Sequence, residues 1–260
     1  MKSIKKVFIC TLAAITMAAP ISVFADNAVT ISGAIEATEE EIAASKNQIK
    51  PKYIGAIEAT EEEIAASKNQ KKTNTELEKA HLAERMNAPF SWHQLSPMSS
   101  FVYYPQETNY TCGPASLRMA LNFLTGINYP ESTLSTCCGT STAGTSLTKM
   151  AECINSKQSK NGYVARYGET KETMKDNIYS GIVTNNAPPI IGVKETRSSG
   201  WPFDLEKHFI VVHSVTSDES EVGVADSWSG FKGDYTHISY DISTDDLFLG
   251  YDEYNIGYMY

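Results

Sequence analysis

Basic residues are scarce in this chain. Its 22 Lys and Arg stand against 31 Asp and Glu, a formal net charge of −9 over 260 residues. That balance argues against nucleic acid or an anionic membrane as the main partner, because both attract a basic face. It mildly favours neutral or basic peptides. Cysteine is also sparse, at five residues, with no Cys-x-x-Cys pair and no neighbouring histidine. Neither a zinc site nor any other metal or cofactor is therefore expected. Beyond residue 24 no stretch is long and apolar enough to cross a bilayer.

The single long apolar run lies at the start. Lys2, Lys5 and Lys6 precede it, and Val23-Phe24-Ala25 offers a small-residue cleavage site. Residues 1–25 thus read as a secretory signal peptide, and the mature protein is expected to be secreted or extracellular. An uncleaved anchor is disfavoured by Pro20 within the run and by the lack of a cationic stop. Cleavage removes three lysines and no acid, taking the charge from −9 to −12. The remainder suffices for one core plus an appendage.

That appendage, residues 26–88, is acidic and repetitive. Residues 33–48 recur unchanged as residues 55–70, with a period of 22. Thr38 with Glu41, Thr60 with Glu63, and Thr75 with Glu78 each fit a capping box, so short helices are expected. Each unit offers only two isoleucines and some alanines for burial. The segment therefore reads as loosely ordered helices. A propeptide shielding a site, a spacer, a partner-binding tandem and a tolerated duplication all fit.

Chemistry concentrates in residues 89–260. Cys112 lies in the run Gln106-Glu107-Thr108-Asn109-Tyr110-Thr111-Cys112-Gly113-Pro114-Ala115-Ser116. Gly113 permits a sharp turn and Pro114 suits a first helical position. Leu117, Ala120, Leu121 and Leu124 then follow helical spacing, and Gly126 can end the helix. A thiol at that N-terminus meets unpaired N–H groups and the positive end of the dipole, which favour thiolate. Alone, such a residue serves as readily as a buried structural cysteine.

Cysteine catalysis also needs an imidazole and a group to orient it. The apolar strand Lys207–His213 opens with His208, and a turn over Thr216–Glu221 leads to the strand Val222–Asp226. A hairpin folded about Ser217 sets His208 opposite Asp226, give or take a rung. Asp226 can then hold the ring that serves Cys112. His213 is five residues further on, which on a regular strand faces the other side. His81, His93 and His237 sit in polar or irregular contexts, or on another strand, and are weaker candidates. For Cys137, Cys138 and Cys153 the default is burial as reduced thiols. The alternative is one disulfide from Cys137 or Cys138 to Cys153.

The spacing also predicts helices over 146–154 and 171–179, and strands over 189–193, 208–215, 222–226, about 235–240 and 256–260. Residues 86–100 read as irregular, and Tyr103-Tyr104 as a short strand. Helices first and hairpins later imply an α+β class, with a helical layer carrying Cys112 packed on an antiparallel sheet carrying His208. Trp228 can cover the His–Asp contact or fill the core. Trp201 suggests a pocket wall or a surface aromatic.

Taken together, Gln106, Tyr110-Thr111-Cys112-Gly113-Pro114-Ala115, Gly144-Thr145-Ser146, His208-Phe209-Ile210-Val211-Val212 and Asp226-Ser227-Trp228 resemble the bacteriocin-processing type of papain-like cysteine peptidase. Best-known members of that group cut leaders after a Gly-Gly pair, and this chain is similar to the stand-alone secreted type. The resemblance covers about residues 99–260. It implies a papain-like fold, a peptide or protein substrate, Cys112 as nucleophile, His208 as base, Asp226 as orienter and Gln106 as oxyanion-hole donor. A side-chain amide there can share the developing charge with the Cys112 N–H. Where relatives carry Gly after the histidine strand, this chain has His213-Ser214. It contains no Gly-Gly pair, so self-processing at such a pair is excluded. The same site would also suit acyl transfer to an amine, as in transpeptidases or transglutaminase-like enzymes. A non-enzymatic alternative is a catalytically weak binding module whose acidic repeats recruit a partner.

Overall fold

The computed structural model describes residue 53, residues 55–70 and residues 89–260. The signal segment, the first repeat copy, the Thr75–Glu78 box and His81 lie outside the described residues. Among the described residues, no helix is long and apolar enough to cross a membrane.

In the second repeat, Glu61–Asn69 forms helix α1. Its start is the capping box read from the sequence: Thr60 accepts from the Glu63 N–H at 3.2 Å and the Glu63 carboxylate accepts from the Thr60 N–H at 2.9 Å.

Helix α2, Cys112–Thr125, buries Leu117, Ala120, Leu121 and Leu124. It ends at Gly126, whose φ of 74° lets its N–H cap the Asn122 carbonyl at 2.8 Å. The two residues after Cys112 act differently from the sequence expectation. Pro114 is the third helical residue, still within the turn whose N–H groups have no partner. Gly113 is inside the helix and is required for space: a Cβ there would stand 2.9 Å from Thr145 Cβ and 3.0 Å from Met150 Sδ. Helices α3 (Glu131–Cys138) and α4 (Leu147–Lys157) pack on α2. Helix α3 was not anticipated; its short Ser/Thr/Cys-rich sequence carries no clear apolar period.

Among the described residues, seven antiparallel strands complete the frame. They are β1 (Trp92–Gln94), β2 (Ala165–Arg166), β3 (Ile190–Glu195), β4 (Leu205–Thr216), β5 (Glu221–Ala225), β6 (Ser239–Ser243) and β7 (Tyr258–Met259). The sheet runs β2-β7-β3-β4-β5-β6, with β1 pairing on β4. Helix α5, Lys171–Tyr179, matches its expected span. Two further helices were unforeseen: α6 (Ser227–Phe231), and α7 (Thr244–Asp252), capped by Ser243. Residues 235–237 form a 3-10 turn, so the strand begins at Ser239. Tyr103 and Tyr104 have no regular structure, and β1 interrupts the lead-in expected to be irregular.

Strand β4 is buried on both faces. Phe209 and Val211 join the cluster formed with α2 and α4, while Ile210 and Val212 join Met174, Ile178, Leu247 and Tyr251 beyond the sheet. Such a strand reads as a continuous apolar run, which is how residues 209–212 appear. Trp201 is buried in the second cluster, against Tyr240, and is not a surface aromatic.

One pairing corrects the default for cysteine. Cys137 and Cys153 form a disulfide joining α3 to α4 across 16 residues, with Cα atoms 5.7 Å apart. Cys138 stays a buried thiol, pushed by that burial up to about 12. Closing a loop of that size restricts the unfolded chain by about 3 kcal/mol in the chain-entropy account. The Cys137→Ser/Cys153→Ser variant should lose about that much stability in urea titration; an unshifted midpoint would show that the bridge constrains nothing.

Candidate active site

Two chain crossings bring the candidates together. Antiparallel pairing sets the start of β4 beside the end of β5, so His208 and Asp226 share one end of the sheet. The register differs from the sequence expectation. Val211 pairs with Ala225 and Val212 with Val224, which sets Ile210, not His208, at the rung of Asp226. Two residues along a strand keep the same face, so the contact survives as a diagonal one. Asp226 has left the sheet and caps α6.

The second crossing is helical. Ser116 Oγ donates to the Phe209 carbonyl at 3.2 Å, fastening the first turn of α2 to β4 one residue beyond His208. Cys112 is fully buried there, near enough for its sulfur to raise the proton affinity of His208.

Asp226 is held from several sides. His208 Nε2 lies 2.7 Å from its Oδ1, which also accepts the Trp228 backbone N–H at 2.9 Å. Tyr240 OH donates to Oδ2 at 3.2 Å, and Tyr103 OH donates to the Asp226 carbonyl at 2.9 Å. With Nε2 given to Asp226, Nδ1 is the ring nitrogen left for Cys112. Burial by itself would lower the proton affinity of His208. The Asp226 carboxylate and the Cys112 sulfur outweigh it and hold the ring well above the ordinary imidazole range. The Trp228 ring meets His208 edge-on at 6.5 Å and is itself buried, so it is at once cover and core.

Gln106 is buried on the same wall, but its amide is engaged elsewhere. Its Oε1 accepts from Ser227 Oγ at 3.0 Å and its Nε2 donates to the Thr108 carbonyl at 2.6 Å. One amide hydrogen is left uncommitted by that bond. Glu131 supports this loop from below, accepting the Glu107 N–H at 3.0 Å.

The other described histidines, His93, His213 and His237, have separate partners. The bulge in β4 falls at His213, whose Nε2 lies 2.8 Å from Ser239 Oγ and whose Nδ1 lies 3.1 Å from Ser214 Oγ. Burial lowers its pKa. His93 packs edge-on against Tyr179, and His237 pairs with Asp234 at 2.8 Å.

Glu195, on β3, went unnoticed in the sequence. It is buried, its Oε1 is 3.8 Å from His208 Nε2, and neither carboxyl oxygen has a hydrogen-bond partner. Burial, reinforced by the Asp226 charge, raises its pKa well above the ordinary carboxylate range. No sequence signal marks it, since a lone acid on a strand usually faces water. Glu195, His208 and Asp226 lie close enough for one ion to reach all three. The 2.7 Å between His208 and Asp226 is instead a hydrogen-bond separation, shorter than the roughly 3.3 Å spacing that ligand bonds near 2.1 Å impose on a tetrahedral ion.

Residues 98–245 match the family described as the Peptidase_C39 like family, and the chain belongs to it. Its papain-like α+β architecture agrees. Among solved structures it is similar to the peptidase domain of Streptococcus ComA, a bifunctional ABC transporter involved in a quorum-sensing pathway. That likeness has 19% identity and a TM-score of 0.42, over 62% of this chain and 96% of that one. It is also similar to a double-glycine-motif protease from an AMS/PCAT transporter in complex with the leader peptide, at 19% identity and a TM-score of 0.40, over 61% of this chain and 87% of that one. A third, described as a C39-like peptidase from Bacillus anthracis, shares 11% identity with a TM-score of 0.46, over 65% of this chain and 96% of that one. No curated protein matches at a significant level.

Glu195 gives a pH signature with a definite sign. A raised folded-state pKa means the folded protein binds that proton more tightly. Its contribution is therefore complete below about 4.5 and is lost as pH climbs through the raised folded value. Glu195→Gln cannot titrate. The stability of the wild type relative to this variant should fall steadily as pH rises from about 4.5, measured by urea unfolding at several pH values. A difference independent of pH would show that folding does not shift the Glu195 pKa.

Proposed function

We propose that this chain is an exported cysteine peptidase acting through Cys112, His208 and Asp226, with Gln106 as oxyanion-hole donor. The observation that carries the reading is the buried series Cys112, His208, Asp226: His208 Nε2 lies 2.7 Å from Asp226, and the fully buried Cys112 sulfur acts on the same ring. Membership of the Peptidase_C39 like family supports the same chemistry. Export is supported by the lysine-led apolar N-terminus and by the Cys137–Cys153 bridge, a linkage suited to oxidising compartments.

In this reading His208 takes the proton of Cys112, and the sulfur attacks the carbonyl carbon of the scissile bond. The oxyanion is met by the Cys112 backbone N–H and the uncommitted amide hydrogen of Gln106. His208 then protonates the departing amine as the C–N bond breaks, leaving a thioester on Cys112. Water attacks the thioester while His208 takes its proton, the sulfur leaves, and the acid product is released. Asp226 touches no substrate atom. It fixes the ring so that Nδ1 faces the sulfur and stabilises the imidazolium.

Cys112→Ala should abolish peptide hydrolysis while the circular dichroism spectrum is retained. Asp226→Asn should lower kcat by about 10²–10⁴, the range for disturbing a triad's orienting acid. Products from a peptide library, sequenced by mass spectrometry with and without an added amine, test the reaction itself. Hydrolysis fragments support the reading; amine adducts alone would replace hydrolysis with acyl transfer, and no products from the wild type under any condition would overturn it.

A further inference from the structure

The second repeat copy lies directly across the proposed nucleophile. The Gly55 N–H donates to the Lys207 carbonyl at 2.9 Å, one residue before His208. The Gly55 carbonyl accepts from the Thr145 N–H at 3.1 Å, and the Ile57 N–H returns a bond to the Thr145 carbonyl at 3.0 Å. The segment is thereby paired to the groove wall in the parallel sense. At its centre Ala56 is fully buried, in the same cluster as Cys112.

Glycine is required on both sides of this crossing. A Cβ on Gly55 would overlap Cys112 Sγ outright. Gly144, with φ of 102°, is equally bare, and a Cβ on it would stand 2.9 Å from the Gly55 carbonyl group. Side chains then anchor the segment at each end. Tyr53 meets the Trp228 ring edge-on at 4.6 Å, and Glu58 pairs with Lys207 at 2.6 Å. Further along, Glu63 accepts from Ser146 Oγ at 3.0 Å, and Arg166 donates to the Ser67 carbonyl at 2.6 Å.

We infer that residues 55–70 are a resident plug of the catalytic groove, and that residues 33–48, identical in sequence, are a spare copy able to occupy it. The seating does not present the Gly55–Ala56 bond for attack. Its carbonyl oxygen is committed to Thr145 on the groove wall, and Gln106 points its donor at Thr108. Every anchoring position from Gly55 to Ser67 recurs in the first copy, where Gly33, Glu36 and Glu41 stand for Gly55, Glu58 and Glu63. The copies differ just before the glycine: Tyr53 is replaced by Ile31, which offers no aromatic edge to Trp228. The second copy is therefore the tighter occupant and the first its substitute. A tethered segment has an effective concentration of roughly millimolar, so even a plug with a dissociation constant of about 10 μM would fill the groove about 99% of the time.

That this cover restrains hydrolysis rests on the peptidase reading, whereas the cover itself is tested through the thiol alone. In the mature full-length chain, Cys112 alkylation by iodoacetamide is followed peptide by peptide in the mass spectrometer. Gly33→Ala/Gly55→Ala should raise its rate at least tenfold, and Gly55→Ala alone by less, because the first copy takes over. A synthetic peptide of residues 33–48 should return the double variant to slow labelling. Glu36→Lys/Glu58→Lys, which sets like charge against Lys207 from an exposed position, should also speed labelling and stands in should the glycine variants fail to fold. Unchanged labelling in the folded variants would overturn the plug. So would cleavage of the wild-type chain between residues 53 and 60, since the segment would then be a substrate. Faster labelling without any peptide hydrolysis would keep the plug and remove the peptidase.

Discussion

A buried 2.7 Å contact between His208 and Asp226 holds the functional end of this protein in place. Neither partner is stable there alone. An imidazole sealed from water loses proton affinity, and a sealed carboxylate without donors is costly to keep charged. Together with the Cys112 sulfur they reverse the effect of burial on the ring. The donors around Asp226 come from three parts of the chain: Trp228 beside it, Tyr240 on the next strand, and Tyr103 before helix α2. That convergence fixes one strand end, one short helix and one loop relative to one another.

Close packing does the rest of the positioning. Cys112 reaches His208 because Gly113 lets Thr145 and Met150 approach the first turn of α2, and because Ser116 ties that turn to β4. The same wall, Gly144–Thr145, then serves as the edge on which residues 55–57 pair. One feature thus supports both Cys112 and the segment that crosses it. Glu195 is the counterpart of this economy: it is buried against the histidine with no hydrogen-bond partner for its carboxyl oxygens, and that burial favours its protonated form.

Much of the fold was legible where periodicity was strong. The α2 stripe, the helix over 171–179 and the two-sided apolar run of β4 all correspond to sequence patterns. Failures fell on short or polar elements. Helix α3 has little apolar period, α6 is a single turn, and α7 owes its start to the Ser243 cap. The hairpin arithmetic erred by two residues because the turn and the bulge at His213 consume residues unevenly. The pair still met, since a two-residue slip preserves the face.

Residue type and spacing by themselves determined that Cys112 opens a helix, that His208 opens a buried strand and that Asp226 follows the next one. Local propensity and hydrophobic period decide these facts, and both are written along the chain. Only the tertiary structure decided that Gln106 gives its amide to Thr108, that Glu195 stands behind the histidine, that Cys153 bonds Cys137, and that Gly55 lies over the thiol. Each of these depends on which surfaces are pressed together after folding. Such proximity joins residues far apart in the chain and leaves no mark on either neighbourhood.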